Sequence, residues 1–395
     1  MSDNNNWPEI ESKYYMRTFK RMPVILVRGK GAKVWDIDGK EYLDFFGGLA
    51  VNSLGHCHPV VVKALTKQAK TLIHTTNLYY TIPQLKLAEL LVKHSCFDRV
   101  FFTNSGTEST EGAVKLARRY GKLKLDGAYE VISAYESFHG RTLAMIAATG
   151  QKKFQDPYTP MPAGFLNVEY NNLKALEAAV SKKTCAIMME PIQGEGGVNV
   201  TADTYLNEVR ALCDSKGILL ILDEIQTGIG RTGKLFAYEH AGIEPDIIAL
   251  AKGLGSGVPI GAILAKENAS VFAPGDHGGT FGGNPLICSV GYEVVKYIID
   301  NDIPARVAKL GAYLKQKLDA LKKYNCVSGV RGNGLLLALA LNEDISEEIV
   351  KACQQQGLLL NNVKPNAIRF MPPLIITERD IDRAIAILEN ILKRR

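Results

Sequence analysis

Two residues stand where apolar runs stop, and together they could do chemistry. Asp223 follows the run 218–222, and Lys252 follows the run 247–251. Both runs are short and wholly apolar, as strands buried on two faces are. The segment between them is turn-rich, with Gly228, Gly230, Gly233 and Gly242, and the spacing predicts a short helix over 235–241. This strand–crossover–strand pattern predicts parallel neighbours joined by a right-handed crossover. Parallel strands present their carboxyl ends on one side, which in open α/β sheets is the ligand side. A carboxylate and an amine then face one crevice. The pair can be a buried ion pair with no catalytic role. It can equally be reactive, because a partly desolvated lysine amine loses its proton and attacks carbonyl carbon.

In the reactive case Lys252 is a Schiff-base lysine for pyridoxal 5′-phosphate, and Asp223 pairs with the pyridine nitrogen and keeps the ring an electron sink. That chemistry needs a phosphate cradle, a stacking group and carboxylate anchors. The run 99–103 passes into Asn104, Ser105, Gly106, Thr107 and Glu108 and then a helix. A strand, a small-residue turn and a helix start form an anion site, since the first N–H groups are unpaired and the dipole favours negative charge. A plain N-cap explains the same residues and is compatible with the cradle. Further on, YEVISAYESFHGRT offers Phe138 or His139 to stack on a ring and Arg141 to clamp a carboxylate. A lone Phe is usually core and a lone Arg usually solvated. The run 184–189 ends in Glu190 and a glycine-rich loop with Glu195, where a solvated acid is the plain alternative. A second glycine-rich turn, HGGTFGGNP, holds Gly279 and Thr280, and RFMPP puts Arg369 at a strand end facing the cleft. In GHCHP, His56, Cys57 and His58 lie too close together for a zinc site without a distant fourth ligand. No metal is expected there, and the loop reads as a cap for a helix over 60–72.

At 395 residues more than one domain is expected. Residues 1–50 read as an N-terminal arm and a β-meander of a small domain, and 51–285 as a large domain. Residues 286–395 read as a linking helix over 286–299 and a C-terminal α+β region. The net charge of +6 comes without a Lys/Arg block, so no nucleic-acid partner is expected. Seven cysteines without C-x-x-C spacing point to a reducing compartment. The start is polar, and no run is long enough to cross a bilayer, so a cytoplasmic protein without membrane contact is expected.

Taken in order, NSGTE, SFHGRT, EPIQGEGG, LDEIQTGIGRTG, ALAKGLG, GGTFGGNP and RFMPPL resemble the class III, or ω-amino acid, aminotransferases over essentially the whole chain. The stretches GLAVNSLGHCHP and FFTNSGTESTEGAVKLARRY are most similar to the N-acetylornithine subgroup. The resemblance implies the aspartate aminotransferase-like α/β fold: a mainly parallel central sheet with helices on both faces, plus a smaller α+β domain. It implies the cofactor on Lys252, Asp223 on the ring nitrogen, Gln226 on the ring oxygen and Phe138 on the ring face. Ser105, Gly106 and Thr107 would take the phosphate, Glu224 would join the cofactor contacts, and Thr280 would come from the second subunit of a homodimer with shared sites. Glu195 would control Arg369, with Arg141 and Gly279 also near substrate; Gly279 stands where relatives often carry serine. The implied reaction moves the δ-amino group of N-acetylornithine to 2-oxoglutarate, in arginine biosynthesis. Donors left open are succinylornithine, ornithine, 4-aminobutyrate and carrier-bound lysine. A glutamate-semialdehyde aminomutase is a further alternative. A cofactor-binding regulator would need a DNA-binding module, for which there is no room before Val24.

Overall fold

The strand Leu219–Asp223 lies fourth of seven in the largest sheet of the protein, and it is buried along its whole length. The computed structural model describes residues 6–394. Across the sheet the order is Arg99–Thr103, Gly261–Ala265, Ile247–Leu250, Leu219–Asp223, Thr184–Met189, Glu130–Ala134 and Phe165–Val168. Leu219–Asp223 pairs in parallel with both neighbours, and Asp223 sits opposite Ala249. Gly261–Ala265 alone runs antiparallel to its neighbours, so the sheet is mainly parallel, as expected.

Side chains alternate across a strand, and here the alternation sorts the core. Leu219 and Ile221 face the helix Gly106–Lys124, packing with its Ala113, Val114 and Ala117. Leu220 and Leu222 face the larger core on the other side, with residues of the helices Tyr205–Lys216 and Pro285–Asp300. Helices thus cover both faces, as a buried parallel sheet requires. The helix Pro285–Asp300 packs on Pro59–Ala69 and Ile82–Lys93.

The C-terminal region forms a second sheet of four antiparallel strands, ordered Val327–Asn333, Leu336–Leu341, Ala367–Phe370 and Asn361–Lys364. The helix Glu378–Leu392 closes the chain, with Thr377 and Asp380 forming a capping box. The early meander of Leu26–Lys30, Lys33–Asp36 and Glu41–Asp44 takes Leu358–Leu359 as a fourth, parallel strand. Of the expected arm, residues 1–5 lie outside the described residues, and Trp7–Tyr14 forms a helix with no buried residue. The helix expected over 235–241 is one 3-10 turn, Ala237–His240. Among the described residues no helix is long and apolar enough to cross a membrane.

Candidate active site

A cavity of ≈ 420 Å³ opens at the carboxyl ends of the central strands. Its floor is the start of the helix Gly106–Lys124. Ser105 is the N-cap, its hydroxyl accepting the Glu108 N–H at 3.3 Å, while the Glu108 carboxylate accepts the Asn104 N–H at 2.7 Å. The helix is tied to the strand before Lys252, because the Ser109 hydroxyl donates to the Leu250 carbonyl at 3.0 Å. Close approach crowds two glycines, and a positive φ fixes the second. A Cβ on Gly106 would lie 2.9 Å from Ile225, and one on Gly140, at φ +140, would lie 2.1 Å from the Thr107 hydroxyl. Ser105, Gly106 and Thr107 all line the cavity. The first N–H groups of a helix have no intrahelical partner, so this floor suits an anion.

Asp223 ends its strand on the same face. One carboxylate oxygen lies 2.8 Å from His139 Nδ1, and the other accepts the Ile225 N–H at 3.1 Å. A carboxylate can only accept, which assigns a proton to Nδ1. Burial pushes the His139 imidazole down, but the hydrogen bond and charge of Asp223 outweigh it, and its pKa stands above the ordinary value. His139 Nε2 is buried and has no partner among the described residues. The sequence left Phe138 and His139 as alternatives for stacking. The structure separates them: His139 is committed to Asp223, and Phe138 stays half-buried on the cavity wall.

Lys252 begins immediately beyond the neighbouring strand, with φ +41, a left-handed conformation rare for a residue with a Cβ. It lines the cavity. Among the described residues its amine makes no hydrogen bond or ion pair. Burial pulls its pKa below the ordinary lysine value; the charge of Arg369 adds to this, while Glu195 and Asp223 oppose it.

Arg369 is the largest fully buried side chain, 1% exposed. Its Nη1 lies 2.8 Å from Glu195 and donates to Gln226 Oε1 at 3.1 Å. Burial pushes the Glu195 carboxyl up, but the charges of Arg369 and Lys252 bring it below the usual range. Arg141 lies at the exposed rim, its guanidinium 3.9 Å from the Phe154 ring centre and 5.3 Å from that of Phe138.

Two residues, one in the cavity wall and one behind it, were not read from sequence as site residues. Glu190 is buried beside the cavity and accepts the N–H groups of Phe138 (3.1 Å) and Gly194 (3.2 Å). Burial raises its pKa to about 7. Its signal was available: like Asp223, it is an acid directly after a buried apolar run. Asn361 contacts Arg369 from the next strand.

Glu224 is a correction. Expected among the cofactor contacts, it continues the alternation of Leu220 and Leu222 and turns away from the cavity. Its carboxylate accepts the N–H groups of Ala237 (2.6 Å) and Tyr238 (2.8 Å), which pins the 3-10 turn. Glu224→Ala should therefore lower stability by about 2–3 kcal/mol, because two buried N–H groups lose their acceptor. Denaturant unfolding checks this, and the cavity's ligand affinities should be unchanged. Gly279 and Thr280 are also outside this cavity. Both are exposed and line a separate cavity of ≈ 600 Å³ with Asn77, Phe101 and His277. His58 caps the helix Pro59–Ala69 through the Val60 N–H, and His56 pairs with Asp44 at 2.7 Å.

The profile of the family described as Aminotransferase class-III matches residues 14–392. The chain belongs to the class-III aminotransferases. An acetylornithine aminotransferase of Caldanaerobacter subterraneus subsp. tengcongensis is 50% identical over 97% of this chain and 98% of its own length. One of Methanocaldococcus jannaschii is 51% identical over 98% of each chain. The crystal structure of the ornithine aminotransferase from Toxoplasma gondii superposes with a TM-score of 0.94 at 35% identity, covering 98% of this chain and 94% of that one.

Class-III aminotransferases depend on pyridoxal 5′-phosphate, and this chain uses it. The cavity fits the group. It offers a helix start where Gly106 packs closely on Ile225, a carboxylate backed by a buried imidazole, an unpaired amine and an aromatic wall.

Proposed function

We propose that this class-III aminotransferase transfers the δ-amino group of N2-acetyl-L-ornithine to 2-oxoglutarate, giving N-acetyl-L-glutamate 5-semialdehyde and L-glutamate, a step of arginine biosynthesis. Relatives bearing the name acetylornithine aminotransferase at 50% and 51% identity support the donor. One observation carries the reading: Arg141 lines the cavity at its rim with no carboxylate on its guanidinium among the described residues, while Arg369 is buried just behind the cavity residues Glu195 and Gln226 and masked by Glu195. One site must accept a donor with its carboxylate far from the reacting carbon and an oxo acid with one carboxylate adjacent to it. Arg141 takes the remote carboxylate of either partner. Arg369 takes the adjacent carboxylate of 2-oxoglutarate once Glu195 moves aside, and stays masked when acetylornithine is bound.

Lys252, Asp223, Gln226, Phe138, Ser105, Gly106 and Thr107 would hold the cofactor. When bound, pyridoxal 5′-phosphate supplies a carbonyl for amines and a cationic ring that accepts the electron pair released at the substrate carbon. Burial keeps the Lys252 amine ready to lose its proton. Its Nζ then lifts the proton from the substrate carbon bearing nitrogen and holds it for return. Asp223 would keep the ring cationic, and His139 holds Asp223 in place. Phe138 would cover the ring, and the helix start would offset the charge of the phosphate.

Thr280 serves, on this reading, the phosphate site of a second copy in a homodimer. Its exposure supports this, as do the exposed Phe281 next to it in sequence and the exposed Leu78, which lines the same cavity. Seven unpaired cysteines support work in the cytoplasm.

Arg369→Ala should cripple the glutamate half-reaction and largely spare the acetylornithine half. Losing a bidentate partner in a desolvated site costs about 2–5 kcal/mol. Half-reactions followed by cofactor absorbance test this, and equal loss in both would sink the division of labour.

A further inference from the structure

Arg369 has five N–H donors in a planar fork. Its Nε and Nη2 both donate to Asn361 Oδ1, at 3.0 and 2.8 Å. Its Nη1 serves Glu195 and Gln226. The two sides differ in how firmly they are built. Asn361 is the register partner of Arg369 on the adjacent antiparallel strand, so backbone pairing fixes its place. Glu195 projects from a loop, with its side chain one-third exposed. Of the residues on Arg369, Glu195 and Gln226 line the cavity, and Asn361 does not.

We infer that Asn361 is a positioning residue for the oxo-acid half-reaction: it occupies the Nε/Nη2 edge of Arg369 with a neutral acceptor and leaves the Nη1 end for a substrate carboxylate. This rests on the proposed role of Arg369. Arginine binds carboxylates best through two parallel N–H groups. With the Nε edge taken, the remaining pair is Nη1 and the outer N–H of Nη2, the pair uncovered when Glu195 leaves. The neutrality of Asn361 matters as much as its place. Its amide oxygen fixes the fork while leaving the positive charge available. A carboxylate at 361 would satisfy the same two donors and cancel that charge permanently, so that an incoming carboxylate gains little.

The test is Asn361→Asp, nearly isosteric and able to keep both bonds, alongside Asn361→Ala, which removes them. The holoenzyme is mixed with L-glutamate and, separately, with the ω-amino donor, and cofactor absorbance gives rate and half-saturation for each. For Asn361→Asp, half-saturation by L-glutamate should rise on the order of tenfold to a hundredfold, the range for a hydrogen-bonded charged partner. The ω-amino donor should stay within about threefold. Asn361→Ala should shift glutamate in the same direction. Thermal unfolding of Asn361→Asp should match the parent. Unchanged glutamate saturation in Asn361→Asp, or an equal shift for both donors, would overturn the inference. Failure of the parent with acetylornithine but not with another ω-amine would sink the donor assignment alone. The glutamate comparison would then be made against that amine.

Discussion

Lys252→Ala is expected to abolish steady-state transamination, with kcat falling at least ~10³-fold. General acid–base catalysis alone contributes about 10²–10⁴-fold, and this residue supplies both the proton carrier and the nucleophile. The expectation rests on the placement of Lys252: it lines the cavity with Asp223 and Glu195, its amine is unpaired among the described residues, and burial lowers its pKa. Cofactor binding should weaken less than turnover, because the helix start, Phe138 and Asp223 remain. Single-turnover kinetics with glutamate checks this, and near-normal rates would exclude Lys252 as the reacting amine.

Asp223→Asn is expected to lower kcat about 10²–10³-fold. The substitution keeps the shape of the side chain and removes the charge that holds the ring cationic. It also strips His139 of the partner that offsets its burial. Removing one member of a buried pair costs about 3–5 kcal/mol, so folding stability should fall as well. The pH dependence separates the two effects. The His139 pKa is raised in the fold, so its contribution is fully present below the ordinary histidine value of about 6.5 and is lost as pH rises through the raised one. In Asp223→Asn that loss on the alkaline side should shrink, because the charge of Asp223 is gone and only that of Glu190 still raises the pKa. Calorimetric unfolding across pH measures it. A variant with parent-like kcat would remove Asp223 from the chemistry, whatever its stability.

The core of this site was legible because it follows one rule. Strands buried on both faces read as short apolar runs, and the residues that end them face the ligand side. The strands expected at 99–103 and 184–189 are found with those bounds. Asp223 and Lys252 meet at neighbouring strand ends as the crossover pattern requires. What was missed depends on facing and on distant partners. Applying the two-residue period from Leu219 would have turned Glu224 away from the cavity. The pairing of His139 with Asp223 spans 84 residues, and no local pattern carries it. Gly261–Ala265 is an apolar run like its neighbours, and nothing in its composition tells that it runs antiparallel. Asn361–Lys364 is short and half-buried, without the apolar alternation that marks a strand. The contact it gives Arg369 was therefore invisible until the register was known. Thr280 was legible as a motif, yet one chain leaves it in another cavity.

Borohydride reduction of the holoenzyme, followed by proteolysis and mass spectrometry, tests the central claim most directly. The account predicts one pyridoxyl label per chain, on the peptide that contains Lys252, and none after Lys252→Ala. A label on any other lysine, or an unlabelled Lys252 peptide from active enzyme, would contradict it.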